Sequence, residues 1–562
     1  MTTKIEDRSS RRTVDGAPAL DVVIIGAGFA GLYALHHLRG LGYDARIVEA
    51  GGGVGGTWYW NRYPGARVDI ESVEYSYSFS DELQQEWNWT ERYAARDELL
   101  RYLNHVADRF DLRRSIDFGT RVESAIFDED AVLWTLHASG GRTIQARHCI
   151  MATGFLSAPN QPNFAGLDSF NGKVYHTAYW PEEGVDFSGQ RVGVIGTGSS
   201  AIQCIPIIAQ QAAKLTVFQR TPAYAVPLRN CPMPEEYLRS VKANYADWRH
   251  REREKSFGGW VAVNFKPIDQ VFDLAMNATA EERTAAYEER WASGGLAFYN
   301  SYPDIFVKLE ANATLAEFLR SKIRERVQDP ETAELLSPRD YPALTKRLCA
   351  DSGYYETFNR DNVSLVSLKA NPIKEITRTG VQAGDTEYEF DSIVLATGFD
   401  ALTGAMMRIN VRGRGGVTLQ DHWRDGARTA FGLMVAGFPN MFMLSGPGSP
   451  CPLFQPILLS EDQVRWIGDC LQYLDRTGHN QIEATQAQED SWVQGCTDAV
   501  NATLFPLAKS WYMGSNVPGK PPIGLAYFGG IQNYWAICNQ LAADDYRGFA
   551  LSIPTASVAM AR

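Results

Sequence analysis

The sequence predicts an α/β protein built from two Rossmann-type dinucleotide-binding domains, with a helical insertion in the second. Three observations carry that expectation. An apolar strand pattern, a glycine-rich turn and an amphipathic helix follow one another from residue 21 and again from residue 191. From residue 230 to 340 the texture shifts to charged segments with helical spacing. Strand patterns then return, and Ala396-Thr397-Gly398 after Ile393-Val394-Leu395 echoes Ala152-Thr153-Gly154 after Ile150-Met151.

The first unit opens with Asp21-Val22-Val23-Ile24-Ile25, a short β-branched apolar run of the kind that forms a buried parallel strand. Gly26-Ala27-Gly28-Phe29-Ala30-Gly31 follows, and a helical pattern then sets Leu32, Leu35 and Leu38 on one face. Ala45-Arg46-Ile47-Val48-Glu49 supplies the second strand. Here Gly26 permits the tight turn, Gly28 lets a pyrophosphate approach the backbone, and Gly31 lets helix and strand pack closely. Free N–H groups at the helix start face the phosphates. Glu49, about 20 residues past the turn, is placed to accept from a ribose hydroxyl. Strand, helix and acid together separate this motif from a ligand-free glycine turn.

The second unit runs Arg191-Val192-Gly193-Val194-Ile195, then Gly196-Thr197-Gly198-Ser199-Ser200-Ala201, a helix through Ile205 and Ile208, and Leu215-Thr216-Val217-Phe218. Alanine is an allowed third residue of the motif. After this strand the acid is replaced by Gln219-Arg220-Thr221. A carboxylate would repel a 2′-phosphate, whereas a guanidinium binds one bidentately. This site is therefore expected to take NADP, with Arg220 at the phosphate. The usual pairing puts FAD at the first site, with hydride passing from NADPH to the flavin. A flavin disulfide reductase would need a redox cysteine pair near the first domain, and the first 200 residues contain only Cys149.

The stretches Thr279–Trp291 and Thr314–Val327 have helical spacing. Thr314 with Glu317 predicts a capping box ahead of a face formed by Leu315, Leu319, Ile323 and Val327. The expected organisation is a disordered tail over 1–18, an FAD domain over 19–155 and 391–555, an NADP domain over 156–228 and 341–390, and the helical insertion over 229–340.

With 562 residues and 45% hydrophobic content, the chain can bury a large core. Its net charge of −12 argues against a nucleic-acid partner. The densest basic run, Arg249–Lys255, is interleaved with Glu252 and Glu254 and reads as a solvated helix face. The 8 cysteines form no Cys-x-x-Cys pair and none has zinc-ligand spacing to a histidine, so no metal site is expected and a reducing cytoplasm is. The N-terminus is polar and charged, unlike a signal peptide. The apolar stretch Val22–Leu38 is broken by three glycines and two histidines, unlike a membrane span.

Between the two glycine loops stands Phe170-Asn171-Gly172-Lys173-Val174-Tyr175-His176-Thr177-Ala178-Tyr179-Trp180-Pro181. This resembles the fingerprint of type I Baeyer–Villiger monooxygenases, Phe-x-Gly-x-x-x-His-x-x-x-Trp-Pro, at every defined position. Gly55-Gly56-Thr57-Trp58, Tyr63-Pro64-Gly65 and Asp69 match the same family, and the resemblance extends from about residue 20 to 550. Glu86-Trp87-Asn88-Trp89, Tyr354-Tyr355-Glu356-Thr357 and Trp511-Tyr512-Met513-Gly514 are most similar to its phenylacetone and steroid monooxygenase branch. The family gives the fingerprint a linking role between the nucleotide domains. As residues, His176 suits a structural or a functional role equally, and Trp180-Pro181 suits a stiffened linker.

The resemblance implies that NADPH reduces FAD and that O2 then forms a C4a-peroxyflavin. One oxygen is inserted beside the carbonyl of a small-molecule ketone, whether aryl, cyclic, long-chain or steroid, to give an ester or lactone. It implies that Arg347 is the fixed charge beside the peroxide, that Asp69 orients it, that Lys346 joins Arg220 and Thr221 at the 2′-phosphate, and that Trp58 and Trp511 lie at the cofactors. Arginine suits the task because it stays protonated at any working pH. The loop Cys451-Pro452-Leu453-Phe454, continuing to Pro456, borders the substrate pocket in the family and departs here from near relatives, so an inherited substrate does not follow. A flavin-containing N- or S-monooxygenase shares both glycine loops but lacks the closing Trp-Pro. A nucleotide-binding redox sensor would lack the catalytic set. A monomer or weak homo-oligomer without membrane attachment is expected.

Overall fold

The computed structural model describes residues 13–14, 17–263, 265–267 and 273–553. Of the tail expected over 1–18, residues 1–12 and 15–16 lie outside the described residues. Its described part is not a plain tail, since Thr13–Val14 pairs antiparallel with Ala17–Pro18.

Two sheets carry the architecture. Among the described residues the first has eight strands. At its centre Leu20–Ile25 lies parallel to Ala45–Val48 on one side and to Arg142–Met151 on the other. Val22, Val23 and Ile24 are fully buried, as a strand covered on both faces requires. The helix Phe29–Gly40 follows, with Leu32, Leu35 and Leu38 fully buried on its inner face. Among the described residues the second sheet is five-stranded and parallel, in the order Val363–Ser367, Lys214–Gln219, Arg191–Ile195, Ser392–Leu395, Lys173–His176. The helix Ser199–Gln211 packs on it through Ile202, Ile205 and Ile208.

Two readings of the sequence need correction here. Ser392–Leu395, expected to begin the returning half of the first domain, lies inside the second sheet between Arg191–Ile195 and Lys173–His176. The boundary drawn at 391 therefore falls too early. Its strand pattern matches either sheet, and its pairing partners decide between them. The run Arg249–Lys255 is a solvated face only in part, with His250, Glu254 and Lys255 exposed. Arg249 and Glu252, one turn apart on the helix Tyr245–Glu254, are buried as an ion pair at 2.9 Å, and Arg249 also donates to Ser76 and to the Val73 carbonyl. The chain at 73–77 thus docks the insertion onto the first domain.

The insertion contains the helices Glu235–Ala243, Tyr245–Glu254, Ala280–Ser293, Leu309–Arg326 and Pro330–Leu336. The capping box lies elsewhere than expected. Thr279 accepts from Glu282 N at 3.2 Å while Glu282 accepts from Thr279 N at 2.8 Å. Thr314 is inside a helix that already starts at Leu309, and its hydroxyl donates back to the Ala311 carbonyl. The expected inner face is nevertheless buried at Leu315, Leu319, Ile323 and Val327.

Candidate functional site

The two glycine loops are built alike. A Cβ on Gly26 would stand 2.5 Å from the Ala152 carbonyl oxygen, and one on Gly196 would stand 2.3 Å from that of Ala396. Both glycines take positive φ, +110° and +119°. The repeated Ala-Thr-Gly motifs are thus the seats on which the first glycine of each loop rests. At Gly31 a Cβ would meet the Gly26 carbonyl at 1.9 Å, whereas Gly28 faces Gly56 across the loop and Gly198 has open space around it. Ala201 is fully buried under the second loop.

Beside the first loop lies a cavity of about 420 Å³ lined by Gly26, Gly28, Glu49, Trp58, Tyr75 and Tyr179, among others. Its open backbone at Gly28 and its acid fit a dinucleotide. Glu49 is buried, and its two oxygens accept from Ala27 N at 2.7 Å and Gly51 N at 2.6 Å. The carboxylate is thereby locked in place with lone pairs to spare for a ribose hydroxyl.

At the end of the second sheet, Arg220 is exposed and Thr221 half-buried. The Thr221 carbonyl accepts from the Thr197 hydroxyl, which ties this turn to the second glycine loop. Lys346 comes close to both Arg220 and Lys369, and its ammonium lies 4.5 Å from the Tyr341 ring. Burial, reinforced by Arg220, lowers the Lys346 pKa to about 8. Lys369 is ion-paired with Asp340, which leaves Arg220 and Lys346 as the cations that suit a phosphate here.

Arg347 and Asp69 meet as a fork. Arg347 Nε donates to Asp69 Oδ2 at 3.0 Å and its terminal nitrogen to Oδ1 at 2.9 Å. Burial works against the guanidinium charge, but Asp69, Tyr512 and Tyr299 outweigh it, so the side chain stays protonated even more firmly than usual. The segment carrying Asp69 is pinned to the second domain. Tyr63 donates to Gln203 at 2.9 Å, Gln203 donates to the Arg67 carbonyl at 3.1 Å, and a Cβ on Gly65 would strike the Gln203 carbonyl at 2.5 Å. The pair therefore forms where the first domain, the second-domain helix and the segment leaving the insertion converge.

Around this pair stand aromatic residues, of which the sequence had not singled out Trp260, Tyr299 and Tyr75. Trp260 lies 5.7 Å from the Arg347 guanidinium, and Tyr299 accepts from Leu348 N. Tyr75 feels the charges of both Asp69 and Arg347, and it accepts from the Trp58 indole at 3.3 Å. Tyr75 also lines the cavity, so the ion pair adjoins the cavity wall. Trp511 is half-buried and stacks on Tyr512 at 4.3 Å, and Tyr512 lies against Arg347.

In the fingerprint, Phe170 and Trp180 are buried, Trp180 packing on Tyr175 and Phe187. A Cβ on Gly172 would clash with the Asp391 carbonyl at 2.4 Å. His176 ends the edge strand of the second sheet. Its Nδ1 accepts from Ala178 N at 3.1 Å, which leaves the proton on Nε2, 3.3 Å from the Thr397 hydroxyl. Burial lowers its pKa, so the neutral ring is favoured. Pro181 follows half-buried, while Ala178 and Tyr179 reach the cavity. The segment runs from the second sheet to the cavity of the first domain.

Cys451, Pro452, Leu453 and Phe454 are all buried. Burial pushes the Cys451 thiol up to about 12, although it also feels the Arg347 charge. Leu453 packs with Tyr512 and Met513, and Phe454 lies against Gly259 next to Trp260. Among the described residues no cluster of His, Cys, Asp and Glu is suited to hold a metal, and no helix is long and apolar enough to cross a membrane.

Residues 23–241 match a family model described as pyridine nucleotide-disulphide oxidoreductase. The chain is 42% identical to an acetone monooxygenase (methyl acetate-forming) of Gordonia sp. (strain TY-5), over 95% of this chain and 99% of that protein. It is also 42% identical to a phenazine N-monooxygenase of Lysobacter antibioticus, over 96% and 98%. Among solved structures it superposes on an oxidized steroid monooxygenase bound to NADP with a TM-score of 0.89 at 49% identity, covering 95% of this chain and 99% of the other. An OTEMO complex with FAD and NADP gives a TM-score of 0.91 at 38% identity, covering 95% and 100%.

Proposed function

The chain belongs to the flavin-dependent Baeyer–Villiger monooxygenases, and on that premise we propose that Arg347, aimed by Asp69, is the residue that makes oxygen insertion possible. The enzyme uses FAD and NADPH and oxidises a ketone with O2. When bound, the flavin supplies the activated oxygen. The chain's own contribution is to hold a permanent positive charge beside the place where negative charge develops, in surroundings shielded from water. The observation that carries this reading is the two-pronged Asp69–Arg347 contact next to the Tyr75 wall of the cavity.

The first glycine loop with Glu49 and Trp58 holds the FAD. The second loop, through Gly196, Gly198 and Ala201, holds NADPH, with Arg220, Thr221 and Lys346 at its 2′-phosphate and Trp511 over the nicotinamide. The fingerprint residues Phe170, Gly172, His176, Trp180 and Pro181 couple the two domains. Cys451–Phe454 forms part of the ketone pocket, supported by its burial beside Arg347 and Trp260. Free cysteines, most of them buried, support a cytoplasmic enzyme.

The test is Arg347→Ala. Loss of one preorganised electrostatic donor costs ~10²–10³ in rate. The variant should retain FAD, consume some NADPH and release hydrogen peroxide, with ester formation nearly abolished. Ester at a near wild-type yield per NADPH would sink the assignment. The phenazine N-monooxygenase likeness supports a second reading, the N-oxygenation of a flavin-containing N- or S-monooxygenase. A substrate panel pairing ketones with aromatic N-heterocycles separates the two.

A further inference from the structure

We infer that Asn312, on the insertion helix Leu309–Arg326, is a positioning residue that sets the conformation of the loop presenting both Lys346 and Arg347. Its side chain is 2% exposed and makes three hydrogen bonds to backbone. Oδ1 accepts from Ala343 N at 2.8 Å, and Nδ2 donates to the Ala343 carbonyl at 2.9 Å and to the Ile305 carbonyl at 2.8 Å. Asn312 thus grips both polar groups of one residue and ties that residue to the 303–306 turn.

The grip falls where the backbone needs it. The next residue, Leu344, has φ +64° and is 1% exposed. A branched apolar residue in the left-handed region is disfavoured and persists only where its surroundings impose it. Thr345 closes the turn by donating its hydroxyl to the Pro342 carbonyl at 2.6 Å. Lys346 and Arg347 follow at once, one facing Arg220 and the other Asp69. If Leu344 relaxed to negative φ, Arg347 would swing away from Asp69 and Lys346 away from its place beside Arg220 together. Tyr299, another insertion residue, holds Leu348 N on the far side. The insertion therefore fixes the loop at both ends, and Asn312 is the end that enforces the strained conformation.

This rests on the roles proposed above for Lys346 and Arg347, so Lys346→Met and Arg347→Ala are run alongside as references. The primary variant is Asn312→Ala. Asn312→Asp is isosteric and still accepts from Ala343 N, but it turns an acceptor toward two carbonyls, and it carries the same test if the alanine variant yields no holoenzyme. Two ratios are measured: ester formed per NADPH consumed, and kcat/KM for flavin reduction by NADPH over that by NADH. Each should fall by ~10-fold or more, since a displacement of about 1 Å at a reacting group is worth up to ~10². FAD content and NADH-driven flavin reduction should stay at wild-type values. A merely structural Asn312 would lower the melting temperature while leaving both ratios unchanged, and that result overturns the inference. If the reference variants also leave the ratios unchanged, it is the reading of Lys346 and Arg347 that fails.

Discussion

Removing Asp69 while keeping Arg347 separates the presence of a charge from its aim. In Asp69→Ala the guanidinium remains but loses both prongs, at 3.0 and 2.9 Å. Unit charges ~4 Å apart interact by ~4 kcal/mol at an effective dielectric of ~20. The two side chains are 21% and 30% exposed, so solvent screens part of this. The expected loss lies between the ~0–1 kcal/mol of a surface pair and the ~3–5 kcal/mol of breaking a buried one, at about 2 kcal/mol. Tyr512, Tyr299 and Trp260 still surround the guanidinium, so it stays near the cavity but is free to rotate. Ester per NADPH should fall ~10- to 100-fold, less than for Arg347→Ala, with the balance appearing as hydrogen peroxide. Asp69→Asn, which keeps one acceptor oxygen, should fall between wild type and the alanine variant. The assay pairs mass-spectrometric ester quantitation with peroxide detection and NADPH consumption, on protein matched for FAD content. Wild-type coupling in Asp69→Ala would show that the guanidinium needs no carboxylate to act and would refute the orienting role.

Other outcomes follow from the same geometry. Arg220→Ala should weaken NADPH far more than NADH, and equal loss for both would remove Arg220 from the 2′-phosphate. Lys346 carries its charge below about 8 and sheds it as pH rises through that value. A bound 2′-phosphate raises this pKa, so NADP affinity relative to NAD should be full below pH 8 and decline above it. The phosphate's own second ionisation, near ~6, is complete by then. Lys346→Arg should abolish that decline in a titration of binding from pH 7 to 9.5, and a wild-type profile that is already flat would argue against the assignment. Replacing Cys451–Pro456 with smaller residues should reorder kcat/KM among ketones while leaving flavin reduction intact, with single-group changes worth ~10- to 200-fold. An unchanged ranking would place the loop away from the pocket.

What could be read in the sequence was what short range determines. The strands Leu20–Ile25 and Arg191–Ile195, their glycine loops and the following helices are each encoded within about 30 residues, where period, turn chemistry and burial agree. The Ala-Thr-Gly echo was visible as a repeat, but its purpose, a carbonyl under each first glycine, needed parallel pairing to bring residues 152 and 396 beneath residues 26 and 196. Long-range decisions were opaque. Ser392–Leu395 joins the second sheet because its partners are there, not because of its composition. Arg249 and Glu252 look like surface charges until Ser76, Val73 and Gln84 close around them. A signal for that burial does exist in the i, i+3 pairing of opposite charges on one helix face, but surface helices share it.

The site itself divides along the same line, and the division explains why the insertion matters. The glycine loops of the cofactor seats come from local motifs, although the first cavity is also lined by Ala178 and Tyr179 of the linking segment. The charged fork requires three remote segments at once: 63–69 held by Gln203 of the second domain, 343–347 held by Asn312, and the walls contributed by Trp260 and Tyr299. Two of those three supports come from the helical insertion, whose sequence shows only amphipathic helices and charged faces. On the roles proposed for Lys346 and Arg347, a chain with both glycine loops but a differently packed insertion would keep the two loops while losing its preference for NADPH over NADH. With Arg347 in its proposed role, such a chain lacks a fixed guanidinium beside the cavity and is expected to spend its NADPH on peroxide. On the proposal made for Arg347, the step from flavin reductase to oxygen-inserting enzyme is carried by the packing of the insertion against Ala343–Leu348, the part of the chain where sequence pattern says least about function.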